Sequence, residues 1–162
     1  MGRHRDLHFA AGRRKTTAHA AIPDATFTLV EFDDPLTTHA DGYDPDGLTT
    51  TAPFKFTAPV DGVYMVSAHI RTNGFAWPTG VSCDLWLFVN GAGHRALGSI
   101  VGLAGASQSP APGGAYPVNL SAGHFVDARV IHFNGSAITL DVTVGYCWFS
   151  AALLQKGVGF VP

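Results

Sequence analysis

The stretch FKFTAPVDGVYMVSAHIR, residues 54–71, decides the fold class of this chain. Phe54 and Phe56 alternate with the polar Lys55 and Thr57, Ala58-Pro59-Val60-Asp61-Gly62 supplies turn chemistry, and 63–70 is a β-branched and aromatic run. Side chains that alternate with period two suit a pleated strand with one buried face, so the stretch predicts strand, tight turn, strand.

Working outward, TFTLVEF at 26–32 predicts a strand with Phe27, Leu29 and Glu31 on one face and Thr28, Val30 and Phe32 on the other. Residues 33–51 form a long connection rich in Asp, Gly, Pro and Thr. After the central stretch, 72–80 reads as an irregular tip that presents Phe75 and Trp77 to solvent. At 81–90 the alternation is strict, with Val81, Cys83, Leu85, Leu87 and Val89 facing one way and Ser82, Asp84, Trp86, Phe88 and Asn90 the other. That second face mixes aromatic and polar groups, the composition of a sheet that meets another subunit. Residues 98–114, which include SQSPAPGG, read as a small-residue flexible loop. Strands at 116–120 and 124–134 flank Ser121-Ala122-Gly123, and Asn134-Gly135 is a hairpin-type dipeptide. Residues 136–154 supply the last two strands, with Gly145 as a bend. Eight or more short strands at this spacing predict an all-β, two-sheet jelly-roll sandwich.

Phe56, Pro59, Gly62, Tyr64 and His69 also match the pattern F-x-x-P-x-x-G-x-Y-x-x-x-x-H. Through it, residues 20–155 resemble the C1q-like globular heads, which share the tumour necrosis factor jelly roll and are of a kind found in bacteriophage virion proteins. DLWLFVNG at 84–91 looks like that family's strand ending in Asn-Gly, and FSAALL at 149–154 looks like its closing F-x-G-x-L-L strand. Ala151 stands where the family usually has Gly, and Gly123-His124 where Gly-Asp usually precedes a strand. The resemblance implies a homotrimer packed around an apolar threefold axis, a place where cyclic closure buries three copies of one patch. Tyr64, Trp86, Phe88, Tyr146, Trp148 and Phe149 are the candidate core and trimer faces. In the final strand Tyr146, Trp148 and Ser150 share one face and Cys147, Phe149 and Ala151 the other, so both cannot line a single monomer core.

With 162 residues, 19 Gly, 10 Pro and 14% charged residues, the composition is that of one domain with many turns between apolar strands. The formal net charge of −2 supplies no field that would recruit nucleic acid or an anionic membrane, and no run of 18 apolar residues predicts a spanning helix. Half of the ten basic residues, Arg3, Arg5, Arg13, Arg14 and Lys15, lie in the first fifteen positions. Leu7 and Phe9 are isolated apolar residues among them. Residues 1–20 therefore read as a basic anchoring arm, with a reach of roughly 65 Å if extended, and 21–162 as the head. No apolar signal core follows the basic residues, which predicts a chain without a secretion signal of its own. Cys83 and Cys147 both fall in predicted strands, where a cysteine behaves as a small hydrophobe.

Asp41, Asp44 and Asp46, followed by Gly47, are candidate Ca²⁺ ligands, and the same residues build a solvated turn without any ion. The eight histidines are scattered and make no transition-metal motif, while His69 and His132 are candidates for protonation at a subunit interface. The sequence has no G-x-S-x-G, phosphate loop or zinc motif, so no catalytic residue is assigned and no enzyme is expected. The expected function is that of a bacteriophage virion structural protein. It would be a trimeric capsid decoration or minor tail or fibre knob on the particle surface, anchored to capsid or tail proteins by its arm and able to bind a host surface glycan. The alternative is a secreted cellular C1q-like adhesion or ligand-recognition module.

Overall fold

The computed structural model describes residues 10–15, 17–34, 47–51, 53–103, 107–143 and 145–157. It is all-β, with twelve strands among the described residues: β1 (Ala10–Arg14), β2 (Thr28–Leu29), β3 (Thr49–Thr51), β4 (Phe54–Thr57), β5 (Gly62–His69), β6 (Phe75–Ala76), β7 (Ser82–Val89), β8 (Ala92–Val101), β9 (Ser107–Gln108), β10 (Gly113–Leu120), β11 (Phe125–His132) and β12 (Trp148–Lys156). Four of them form a sheet in the order β1-β12-β5-β10, and six form a second sheet, β3-β4-β11-β7-β8 with β2 also paired to β11. The named pairings in both sheets are antiparallel.

The stretch at 54–71 is the joint between the two layers. Strand β4 belongs to the six-stranded sheet and β5 to the four-stranded one, so the turn at 58–61 carries the chain across the sandwich. The turn is tied down by its own side chains. The buried Tyr64 hydroxyl donates to the Val60 carbonyl (2.8 Å), and Asp61 Oδ1 accepts from the Ala122 amide (2.7 Å). Gly62 is required by packing: a Cβ there would stand 2.5 Å from the Gln155 carbonyl oxygen.

Alternation fills the core. Gly62, Tyr64, Val66 and Ala68 of β5 turn inward, and Cys83, Leu85 and Leu87 of β7 meet them from the other sheet. Phe32, Phe54 and Phe149 form an aromatic cluster with centroids 5.0–5.9 Å apart, and Phe56 lies edge-on to Tyr64 at 5.6 Å. Each fully buried large side chain contributes about 1.5–3 kcal/mol, so this interior is the main source of stability. At one edge of the sandwich, β8 and β10 come from different sheets and approach closely. A Cβ on Gly98 would lie 2.7 Å from the Gly113 carbonyl oxygen, and one on Gly114 would meet the Leu97 carbonyl.

Several sequence expectations change. Ala10–Arg14, assigned to the arm, is a sheet strand whose register runs from Ala10 opposite Ala152 to Arg14 opposite Trp148. Arg13, Arg14 and Lys15 are buried rather than solvated. Arg13 Nε donates to Thr49 Oγ1, Arg14 pairs with Asp34 (3.5 Å), and Lys15 Nζ pairs with Asp33 (2.7 Å). The strand expected at 26–32 pairs only at Thr28–Leu29, though Val30 and Phe32 turn into the core as expected. Residues 92–101, for which no strand is expected, form the long edge strand β8. Within 136–147 the described residues make isolated bridges at Ile138 and Leu140 in place of a separate strand.

Candidate functional site

One face of the four-stranded sheet is not covered by any described element. The side chains of β5 that point away from the core are Val63, Met65, Ser67 and His69, all half-buried. Register extends them into rows across the sheet. Ala10, Ala152, Met65 and Pro117 share one row, and Gly12, Ser150, Ser67 and Ala115 the next. Neither row carries a charge, and at its centre Ser67 Oγ and Ser150 Oγ share a hydrogen bond of 2.7 Å. Apart from Met65 and Pro117, the side chains of this strip of two rows are small.

The third row is chemically different. It contains Arg14, Trp148, His69 and Gly113. The His69 and Trp148 rings stack, with centroids 6.1 Å apart and planes 12° apart. His69 Nδ1 donates to the Tyr146 carbonyl (2.7 Å), which fixes the orientation of the ring. A Cβ on Gly113 would come within 2.6 Å of His69 Cδ2, so the glycine lets the imidazole lie against the sheet. Beside it the Arg71 guanidinium covers the Tyr146 ring at 4.2 Å and pairs with Asp141 at 3.7 Å. Hydrogen bonds from the Thr143 hydroxyl and amide hold the Asp141 carboxyl below its ordinary range, and Arg71 adds to the effect.

The six aromatic residues chosen from the sequence separate into three places. Tyr64 and Phe149 are core, Tyr146 and Trp148 lie at the end of the open face, and Trp86 and Phe88 lie on the outer face of the six-stranded sheet. There Phe27 packs edge-on against Trp86 (5.8 Å) and Phe88 (5.1 Å), and Arg129 lies 4.2 Å over Phe88 while binding both oxygens of the buried Asp127. The aromatic–polar face that suggests another subunit is thus partly covered by the chain's own 26–30 segment.

Trp77, expected at an exposed tip, is 3% exposed. Its Nε1–H donates to the Val81 carbonyl (2.8 Å), and Gly102 leaves room for the ring. Phe75 is half-buried in the short β6–β9 pairing. Arg3, Arg5, Leu7 and Phe9 and the acidic residues Asp41, Asp44 and Asp46 lie outside the described residues. Among the described residues no group of three or more His, Cys, Asp or Glu side chains could hold a metal ion. Cys83 and Cys147 are buried free thiols, and burial pushes their pKa values up to about 12 and about 11.

No family model and no curated protein sequence matches the chain. Its likeness to solved structures extends over nearly the whole length. Eiger TNF from S. frugiperda superposes with a TM-score of 0.66 at 15% identity, covering 96% of this chain and 98% of that one. This is the C1q/TNF-like jelly roll. The globular domain of zebrafish complement 1qA gives 0.55 at 22% identity over 93% and 98% of the two chains, and murine APRIL gives 0.58 at 11% over 91% and 100%. Within this jelly roll the uncovered strip belongs to the sheet that holds the first and last described strands, β1 and β12.

Proposed function

We propose that this chain is a non-catalytic, self-associating head, a homotrimer closed through the open face of the β1-β12-β5-β10 sheet. The observation that carries the proposal is the double row of uncharged side chains around Ser67 and Ser150, most of them small, which no described element covers. An uncharged flat sheet face is costly to leave in water and well suited to burial against its own copies, and threefold closure is what the resemblance to C1q-like heads implies. Trp148, stacked on His69 at the end of that face, is the aromatic anchor at its rim.

The proposed setting is the surface of a bacteriophage particle, as a capsid decoration or a minor tail or fibre knob. That setting is supported by the resemblance of residues 20–155 to jelly-roll heads of a kind found in bacteriophage virion proteins. The basic residues ahead of β1 remain the proposed dock to capsid or tail proteins. A host surface glycan is the proposed ligand.

The test is the solution mass of the chain by light scattering, for the wild type and for Trp148→Asp. A wild type of three chains and a folded variant of lower mass are expected, and a variant that stays a folded trimer removes Trp148 from the interface. Detection of the chain in purified particles by mass spectrometry separates the virion setting from the secreted alternative, which predicts its absence there.

A further inference from the structure

The outer face of the six-stranded sheet carries a carboxylate that the fold leaves incomplete. Asp84 lies on β7 between Cys83 and Leu85, both fully buried, so its side chain points to the outer face together with those of Ser82 and Trp86. Asp84 Oδ2 accepts from Ser82 Oγ at 3.0 Å. The other oxygen, Oδ1, is buried and has no hydrogen-bond partner among the described residues. The neighbouring cation does not supply one, because Arg129 is committed to both oxygens of Asp127 and stacked on Phe88.

Around this oxygen the sheet is mostly apolar, its polar neighbours being Ser82 and the exposed Ser99, the register partner of Asp84 on β8. Ile131 is the register partner of Asp84 on β11. On the side toward Ser82 stand Val101, its register partner, and Phe133, whose amide donates to the Ser82 carbonyl (3.3 Å). Both are about half exposed, at 52% and 48%. On the other side stands Trp86, flanked by Phe27. A carboxylate oxygen without a partner, in a collar that is mostly aliphatic and aromatic, complements a long basic side chain, whose stem covers apolar surface while its head meets the carboxylate and an aromatic ring. A neutral ligand such as a sugar would supply a donor and yet leave the carboxylate without a counter-charge.

We propose that Asp84 is the centre of a docking site for a protein partner that presents an arginine or lysine flanked by apolar residues. The site lies on the sheet opposite the self-association face, so it stays open whether the head is a monomer or a trimer.

The test is a titration of the full chain, followed by its amide resonances, with N-acetyl-leucyl-arginine amide, with the neutral N-acetyl-leucyl-norleucine amide, and with maltotriose. Saturable shifts at residues 82–86, 99–101 and 131–133 are expected for the arginine probe alone, weakening as salt rises. Asp84→Asn keeps the shape of the side chain and its Ser82 contact and is expected to bind the probe roughly tenfold more weakly, in line with the loss of one charge-assisted bond. Trp86→Leu is the second variant and weakens binding severalfold while leaving the charge in place. The proposal is overturned if the arginine probe gives no saturable shift at these residues or if Asp84→Asn binds it equally well. It is equally overturned if the neutral peptide or the sugar binds as tightly.

Discussion

Two glycines of one strand make opposite predictions. Gly98 faces β10 across the closed edge of the sandwich, where an added Cβ would sit 2.7 Å from the Gly113 carbonyl oxygen and 2.8 Å from the Gly113 nitrogen. Both are backbone atoms, so no side chain can swing aside, and Gly98→Ala must push the two sheets apart at that edge. Overpacking of this kind costs about 1–3 kcal/mol. Gly93, in the same strand, is not at positive φ, and its Cβ would rest at an ordinary 3.6 Å from Phe88 Cζ. Gly93→Ala therefore removes the entropic penalty of glycine in a strand and gains about 0.5–1 kcal/mol. The two variants should differ by roughly 1.5–4 kcal/mol, which at about 2–4 °C per kcal/mol is a gap of roughly 3–16 °C in Tm. Thermal melts by circular dichroism, run at one protein concentration, measure this gap. If Gly98→Ala melts at or above Gly93→Ala, the close approach of β8 and β10 is not what closes the edge.

Truncation separates the arm from the sheet: removing residues 1–9 should leave the melting temperature unchanged, whereas removing 1–15 deletes β1 and the Arg14–Asp34 and Lys15–Asp33 pairs and should unfold or aggregate the head, as read by melting and light scattering. Trp77→Ala should cost about 3–5 kcal/mol in chemical denaturation, the cost of emptying a buried aromatic site, where an exposed tip would cost almost nothing. The thiols predict a pH dependence. Their folded pKa values lie above the ordinary 9.0, so the unfolded chain loses these protons first, and stability present below pH 9 falls as pH rises toward about 11–12. Each contributes roughly 1.4 kcal/mol per pH unit in that window, so the Cys83→Ala variant should lose stability less steeply than the wild type by that amount.

The central stretch was readable because its determinants are local. Alternation at Phe54, Phe56 and Tyr64 sets which side chains are buried, and the Tyr64–Val60 bond closes over four residues. The misread elements depend on distant partners. Arg13, Arg14 and Lys15 look like a solvated basic run until Thr49, Asp34 and Asp33 are brought to them by the fold. Trp77 sits among Pro, Thr and Gly and reads as a tip, yet Gly102 leaves room for its ring beside the sandwich. Strand β8 has almost no buried face because it is an edge, so AGHRALGSIV shows none of the period-two alternation that marks β7. For the candidate site, sequence alternation placed Trp148 and Ser150 together on one face of the last strand, opposite Phe149. It carried no information on which strands flank them, and the small-residue strip exists only through the register of four strands far apart in the chain.

That register also bears on how the protein is made. In the four-stranded sheet, β12 lies between β1 and β5 and joins them, so the earliest described strand, apart from its Arg14–Asp34 bridge, has no sheet neighbour among the described strands until residues 148–156 have been synthesised. At elongation rates of about 5–20 residues per second, the nascent chain carries a buried-type strand and the unpaired edge of β5 for several seconds before either can be closed. The four-stranded sheet is therefore completed only after translation has passed β12, and its open face comes into being in the same event.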